Sequence, residues 1–318
     1  MKDTRFRYTA INLFTGIGGI RKGFENTGRY TTVFSSEIDR SARETYKANF
    51  GDEPAGDIRK ILDAAFPETD IVVGCPPSQA FSKMGRRMGF NDVRGTLFYE
   101  FLRVVRETMP KAFLMENVEG LPSHDGGRTF ETMLELFDRA GYDVQWTVLD
   151  ARDFGIPQKS RRVFVVGMRK DIVTVFRFPK GNGKTARFGD ILEANVAPKY
   201  LLSAEYRRGL EERTARNAGK GNGFGMAIPD LNGAANTLTV GGSGRERNLV
   251  RVGKEGLRRL TPREFARLQG FPDSFRIPVS DTQAYKQFGN SVAVPVITAI
   301  AENLVVALDT ATALPMAA

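Results

Sequence analysis

Along the first half of the chain, short β-rich runs alternate with longer segments whose apolar positions recur every three or four residues. Residues 8–14, 31–37, 71–74, 112–116, 144–149 and 163–167 read as strands. Residues 41–50, 97–109 and 129–140 carry helical spacing, and Gly141 stands just past the third as a stop signal. Strands alternating with helices predict an α/β fold around a doubly wound, mainly parallel sheet.

After Lys180 the texture changes. Glycine clusters at 181–183, 219–225 and 241–244 are interleaved with Lys220, Arg245, Arg247 and Arg251, with no long helical periodicity between them. This predicts a smaller, loop-rich domain whose polar, basic loops suit the lining of a nucleic-acid groove, although glycine-rich loops are also ordinary connectors. Past Leu260 a short helical pattern (262–269) leads through Gly270-Phe271-Pro272 to Gln287-Phe288-Gly289-Asn290-Ser291-Val292, and an apolar helix from 294 to about 308 closes the chain. The expected organisation is one domain from residues 1–178 and 282–318 and a second from 179–281.

Composition narrows the function classes. In 318 residues there is one cysteine, Cys75, and one histidine, His124, which excludes an internal disulfide framework and argues against a His/Cys zinc site. No metal is expected. The sequence has no uninterrupted apolar run near the roughly 20 residues that span a bilayer, and Met1-Lys2-Asp3-Thr4-Arg5 opens no apolar signal segment. A soluble, cytoplasmic protein without membrane association is therefore expected. The excess of 46 Lys+Arg over 37 Asp+Glu, a formal charge of +9, favours a polyanionic partner, though modest basic charge also serves solubility alone.

The first strand runs into Phe14-Thr15-Gly16-Ile17-Gly18-Gly19, where glycines let the backbone turn tightly and approach a ligand at the mouth of a sheet. A dinucleotide fingerprint would place its third glycine at Arg21, so nicotinamide binding is disfavoured. Glu37, at the end of the second strand, can accept both hydroxyl protons of a ribose. Asp57-Ile58 offers a carboxylate for an exocyclic amine and an apolar side chain for a purine face, whereas an isolated Asp57 would read as a solvated surface acid.

Three further stretches carry chemistry. Val72-Val73-Gly74-Cys75-Pro76-Pro77-Ser78-Gln79-Ala80-Phe81-Ser82 leaves an apolar strand and turns at two prolines; taken alone it is equally an ordinary Pro-Pro turn. Met115-Glu116-Asn117-Val118 puts an acid at a strand end, and Gln158-Lys159-Ser160-Arg161-Arg162 follows later.

In this order the motifs resemble those of the DNA (cytosine-5) methyltransferases of bacterial restriction-modification systems, over nearly the whole chain from Phe14 to Val296. Arg259-Leu260-Thr261-Pro262-Arg263-Glu264, Arg267-Leu268-Gln269-Gly270-Phe271-Pro272 and the Gly289-Asn290-Ser291-Val292 tetrad make the match specific. The resemblance implies an S-adenosylmethionine-dependent fold that flips a target cytosine from double-stranded DNA and releases S-adenosylhomocysteine. It implies cofactor contacts from Phe14, Gly16, Gly18, Gly19, Glu37, Ile38, Asp57, Ile58, Leu97, Asn290 and Val292, with Ile38 stacked on the adenine. Glu116 matches the acid directed at cytosine N3 and the exocyclic amine, and Arg162 the arginine directed at O2. Work as a proton donor requires a raised pKa, which burial supplies. The second domain takes the place of the target-recognition domain, with 219–226 and 237–247 as the base-reading loops. Gln79, Ser82, Arg161, Lys220, Asn222, Arg245 and Arg247 are the expected DNA contacts of a monomer that, when bound, is associated with the bacterial nucleoid.

Three positions depart from the pattern. Asn12 stands where the family commonly has Asp, Ser160 replaces the first arginine of Gln-x-Arg-x-Arg, and Ser78 stands where the family carries its cysteine nucleophile. A serine hydroxyl is far less acidic than a thiol and needs an adjacent base, which no motif residue supplies; His124 is a poor partner, and Cys75 reads as a small packed side chain. The completeness of the match elsewhere points to a Cys→Ser replacement made to hold the protein on its substrate. The alternatives are a naturally silent DNA-binding homologue and a transfer-RNA cytosine-5 methyltransferase.

Overall fold

The computed structural model describes residues 8–77, 97–219, 225–240, 244–254 and 256–313. In chain order the elements are β1 (Tyr8–Leu13), α1 (Gly19–Glu25), β2 (Tyr30–Ser36), α2 (Arg40–Phe50), β3 (Ile71–Gly74), α3 (Leu97–Thr108), β4 (Ala112–Val118), α4 (Arg128–Arg139), β5 (Tyr142–Asp150), β6 (Gln158–Lys159) and β7 (Arg161–Arg169). They continue with β8 (Ile172–Val173), α5 (Ala204–Gly219), β9 (Ala235–Asn236), β10 (Val250–Val252), β11 (Gly256–Arg258), α6 (Pro262–Leu268), α7 (Asp281–Asn290), α8 (Val294–Asp309) and β12 (Thr312–Ala313).

Six strands form one sheet in the order β2-β1-β3-β4-β7-β5. β1 pairs in parallel with β2 and β3, and β3 with β4, while β7 runs antiparallel to β4. β3 is buried along its whole length and β4 over six of its seven residues, as strands covered by helices on both faces must be. One cover is an aromatic core: Phe101, Phe113 and Phe137 are fully buried with Val72, Met115 and Val163, and the rings of Phe113 and Phe137 stack at 4.2 Å. On α1, a Cβ at Gly23 would meet Ile297 of α8 at 2.5 Å, so glycine there permits close approach of the two helices.

This arrangement decides where loops can meet. β1 has β2 on one side and β3 on the other, so the chain reverses its direction of travel at β1, and loops leaving the carboxyl ends of β1 and β3 diverge around a crevice. Because β7 is antiparallel, its beginning lies beside the end of β4, with Val118 paired to Arg162.

The chain divides into two compact units: Met1–Leu149, Arg161–Lys180 and Val296–Ala318 form the first, Asp150–Ser160 and Gly181–Pro295 the second. The division differs from the boundaries expected from sequence, since residues 150–160 fall in the second unit, and so do residues 282–295. Contacts of α7 explain the latter: Tyr285 packs edge-on against Phe265 of α6 at 4.7 Å, and the Gln269 amide donates to the Phe288 carbonyl at 2.8 Å. A second difference is α5, a 16-residue helix in a stretch expected to be loop-rich. Its only buried side chain is Leu210, so it has no apolar stripe for a periodicity argument to detect.

The segment Asp281–Asp309 is long and apolar enough, by length and composition, to cross a membrane. It is instead interrupted at Ser291 between α7 and α8, and 56% of its most apolar window is buried in the fold.

Candidate active site and cofactor site

At the end of β1 the backbone enters the left-handed region at Phe14 (φ 52°), Gly16 (φ 54°) and Gly18 (φ 86°). Gly18 has no room for a side chain: a Cβ there would lie 2.3 Å from Cε2 of Phe50. Arg21, in the position a third glycine would occupy in a dinucleotide site, binds Asp52 at 2.6 Å and lies over the Phe50 ring at 4.5 Å, so it ties α1 to α2.

Glu37 follows β2 and accepts N–H groups from Gly16 and Asp39, both at 2.8 Å, which fixes the carboxylate between the glycine loop and the start of α2. Next to it Ile38 is 65% exposed, an apolar side chain left open to a flat ligand. Asp57 caps the following turn and pairs with Arg59 at 2.6 Å; that hydrogen bond holds its carboxyl below the usual carboxylate range. The Ile58 side chain is in the core, only 3% exposed, so a ligand can meet residue 58 through its backbone but not through an apolar face as expected. Leu97 is half-buried at the head of α3. The Asn12 amide donates to Thr15 Oγ at 2.8 Å, and its buried Oδ1 has no donor among the described residues. A carboxylate oriented by backbone amides, an open apolar residue and a buried acceptor without a partner fit an adenosine-bearing cation such as S-adenosylmethionine.

At the ends of β3 and β4 the register sets Gly74 beside Met115, so the next residues, Cys75 and Glu116, come level. Glu116 is 3% exposed, and among the described residues two side chains hold its carboxyl: Arg162 Nε lies 3.2 Å from Oε1, and the Cys75 thiol donates to Oε2 at 2.5 Å. Glu116 and Arg162 sit diagonally across the antiparallel pair, on one face, because each is two residues from the other's direct partner. Burial pushes the Glu116 carboxyl above its ordinary range, and Arg162 and Cys75 pull it partly back. The Asn117 amide holds the Pro76 carbonyl at 2.8 Å and anchors the start of the proline loop. An acid kept in reach of protonation beside a half-buried guanidinium suits a ring that carries an N–H donor, an acceptor nitrogen and a carbonyl.

The model of the C-5 cytosine-specific DNA methylase family matches residues 8–306. The chain belongs to that family. Members transfer a methyl group from S-adenosylmethionine to cytosine in DNA, and this methylase is an S-adenosylmethionine-dependent DNA cytosine-5 methyltransferase. It is 48% identical over 309 residues to the type II methyltransferase M1.ScrFI of Lactococcus lactis subsp. cremoris, covering 95% of this chain and 79% of that one. It is 47% identical to the type II methyltransferase M.HpaII of Haemophilus parainfluenzae, covering 95% and 90%. Among solved structures, the methyltransferase EhMeth of Entamoeba histolytica shares the fold with a TM-score of 0.76 at 21% identity, over 94% of this chain and 98% of that one.

For this methylase the remaining expected residues fall as follows. Arg161 points to the face opposite Arg162 and pairs with Glu119 at 3.2 Å, so it does not join Glu116. Arg245 and Arg247 lie half-buried in the second unit, Arg245 over the Tyr285 ring at 5.4 Å. Asn290 is exposed at the end of α7, and Val292 is buried just after it. Ser78, Gln79, Ser82, Lys220 and Asn222 lie outside the described residues. Among the described residues no group of three His, Cys, Asp or Glu could hold a metal ion.

Two residues have structural roles that the motifs do not assign. Gln158, fully buried, accepts from the Leu238 amide at 3.0 Å and donates to the Leu268 carbonyl at 2.6 Å. Its glutamine neighbour Gln269 reaches on to the Phe288 and Ser291 carbonyls, so the two amides tie β6 to the segment at Leu238 and to the ends of α6 and α7 within the second unit. Cys75 is the other: it was expected merely to fill space, whereas its thiol contacts the active-site acid. Its place one residue past an apolar run was legible, but its level with Glu116 comes from the register of β3 against β4.

Proposed function

We propose that the methylase extrudes a single cytosine from duplex DNA and holds it at Glu116 and Arg162, and that Ser78 leaves methyl transfer stalled. The Glu116–Arg162 contact at 3.2 Å is the observation that carries the reading. With its pKa raised by burial, Glu116 retains a proton to share with cytosine N3 while its other oxygen accepts from the exocyclic amine. Arg162 meets the ring carbonyl, and its charge favours the ionised form of Glu116 against the rise that burial causes. Glu37, Ile38 and the 14–19 loop hold S-adenosylmethionine, which supplies the methyl group when bound. Attack on C6 falls to residue 78, and no motif residue of the sequence supplies the base that a hydroxyl nucleophile needs. The second unit, with its basic glycine-rich loops, serves as the target-recognition domain and selects the sequence. Association as a monomer with bacterial DNA, without a metal, in the cytoplasm, completes the reading.

Bisulfite sequencing of duplex DNA and transfer RNA treated with the chain and with its Ser78→Cys variant tests this. The variant is expected to methylate duplex DNA at one sequence context while the original chain leaves it nearly unmodified. Methylation of transfer RNA alone would overturn the substrate assignment, and efficient methylation by the original chain would overturn the role given to Ser78.

A further inference from the structure

Cys75 has no part in the chemistry above, yet its thiol donates to Oε2 of Glu116. Resting on the assignment of Glu116 to the cytosine edge, we propose that Cys75 is a positioning residue: its thiol holds Oε2 while Arg162 holds Oε1, so that the carboxyl is oriented before the base arrives.

The backbone makes the contact obligatory. Strand pairing brings residue 75 level with residue 116, and the Asn117 amide fixes the Pro76 carbonyl immediately beyond, which leaves Cys75 little freedom to turn away. Arg162 reaches one carboxylate oxygen; among the described residues Cys75 is the donor to Oε2 of a side chain only 3% exposed, and a buried acceptor without a donor is costly. Each carboxylate oxygen has a second lone pair, so donation from sulfur leaves room for the base. The charged groups acting on the thiol are Glu116 from β4, Arg162 from β7 and Glu37 from the end of β2. Burial first, then the Glu116 charge and the hydrogen bond to it, raise the thiol pKa and keep Cys75 a donor; Arg162 opposes them. Donation stabilises the carboxylate form of Glu116, so removing the thiol raises the carboxyl pKa further.

Two measurements decide the matter. Cys75 is the chain's sole thiol, so iodoacetamide alkylation of the chain as it stands reads this residue alone. Its half-maximal rate is expected well above the roughly 8.5 of a free thiol, and Glu116→Gln should lower that midpoint and speed alkylation several-fold at pH 8. The second measurement is methyl transfer against pH in Ser78→Cys, with and without Cys75→Ala or Cys75→Ser. Cys75→Ala should carry the alkaline limb upward by roughly half to one pH unit, the worth of one hydrogen bond, and Cys75→Ser, which keeps a donor, should restore it. A midpoint indifferent to Glu116→Gln, or an active Ser78→Cys enzyme whose limb is indifferent to Cys75→Ala, would overturn the proposal. A Ser78→Cys enzyme inactive on every substrate would instead overturn the proposed function, and alkylation alone would then decide the pairing.

Discussion

Glu37 accepts the backbone N–H of Gly16 at 2.8 Å, a contact that joins the end of β2 to the glycine loop after β1 across 21 residues of sequence. The same carboxylate accepts from Asp39 through its other oxygen. It is thus oriented before any ligand arrives, and orientation lowers the cost of binding.

Glu37→Ala should weaken S-adenosylmethionine binding by about 1.5–3 kcal/mol, the range for hydrogen bonds to a charged group. Titration calorimetry gives the number directly. Unchanged affinity would remove Glu37 from the cofactor site.

Gly18→Ala should destabilise the chain for two separable reasons. A positive φ costs an L-residue roughly 1–2 kcal/mol, and forcing a methyl group against Phe50 costs roughly 1–3 kcal/mol more. Urea unfolding should show both losses when Gly18→Ala is made in the original chain and only the first when it is made in, and compared with, a Phe50→Ala chain. Equal losses in the two would mean that Phe50 yields freely.

Glu264 is fully buried and forms two hydrogen bonds with Arg258, both at 2.7 Å, while also accepting N–H groups from Glu193 and Thr261. Glu264→Ala strands a buried guanidinium, and a loss of about 3–5 kcal/mol is expected. Arg258→Met combined with Glu264→Leu should cost less, because no charge is then left alone. Thermal melts of the three proteins rank them, and a double variant worse than Glu264→Ala would contradict the argument.

Arg245→Ala and Arg247→Ala test the recognition loop. The expected outcome is that at least one relaxes preference at a single base-pair position, by roughly 1–3 kcal/mol. Competition binding against duplexes substituted one position at a time measures this. If both lose affinity uniformly and merely flatten the salt dependence, the two arginines meet phosphates only.

Ser78→Cys should form a denaturation-resistant adduct with duplex DNA that carries 5-fluorocytosine at the target, since fluorine blocks the elimination that releases the enzyme. The original chain should retard the same duplex on a native gel and lose it on denaturation, because base extrusion depends on pocket contacts and bond formation on the thiolate. A stable adduct with the original chain would make Ser78 a competent nucleophile.

The alternation of apolar runs with helical spacing was enough to place β1, β3, β4 and α2 to α4, because each buries a contiguous apolar face and burial is what such patterns encode. The motif order likewise placed Glu37 and Glu116 at strand ends, since a turn after an apolar run is a local property. α5 escaped because it buries Leu210 alone, and α7 because its partners, Phe265 and Gln269, come from a segment ahead of it in the chain. The meeting of Arg162 with Glu116 was implied by family resemblance but depends physically on β7 running antiparallel to β4; a parallel strand there would have carried Arg162 to the opposite end of the sheet. The contact of Cys75 with Glu116 was decided by the register of β3 against β4, and register is a property of two strands at once that neither strand's residues contain.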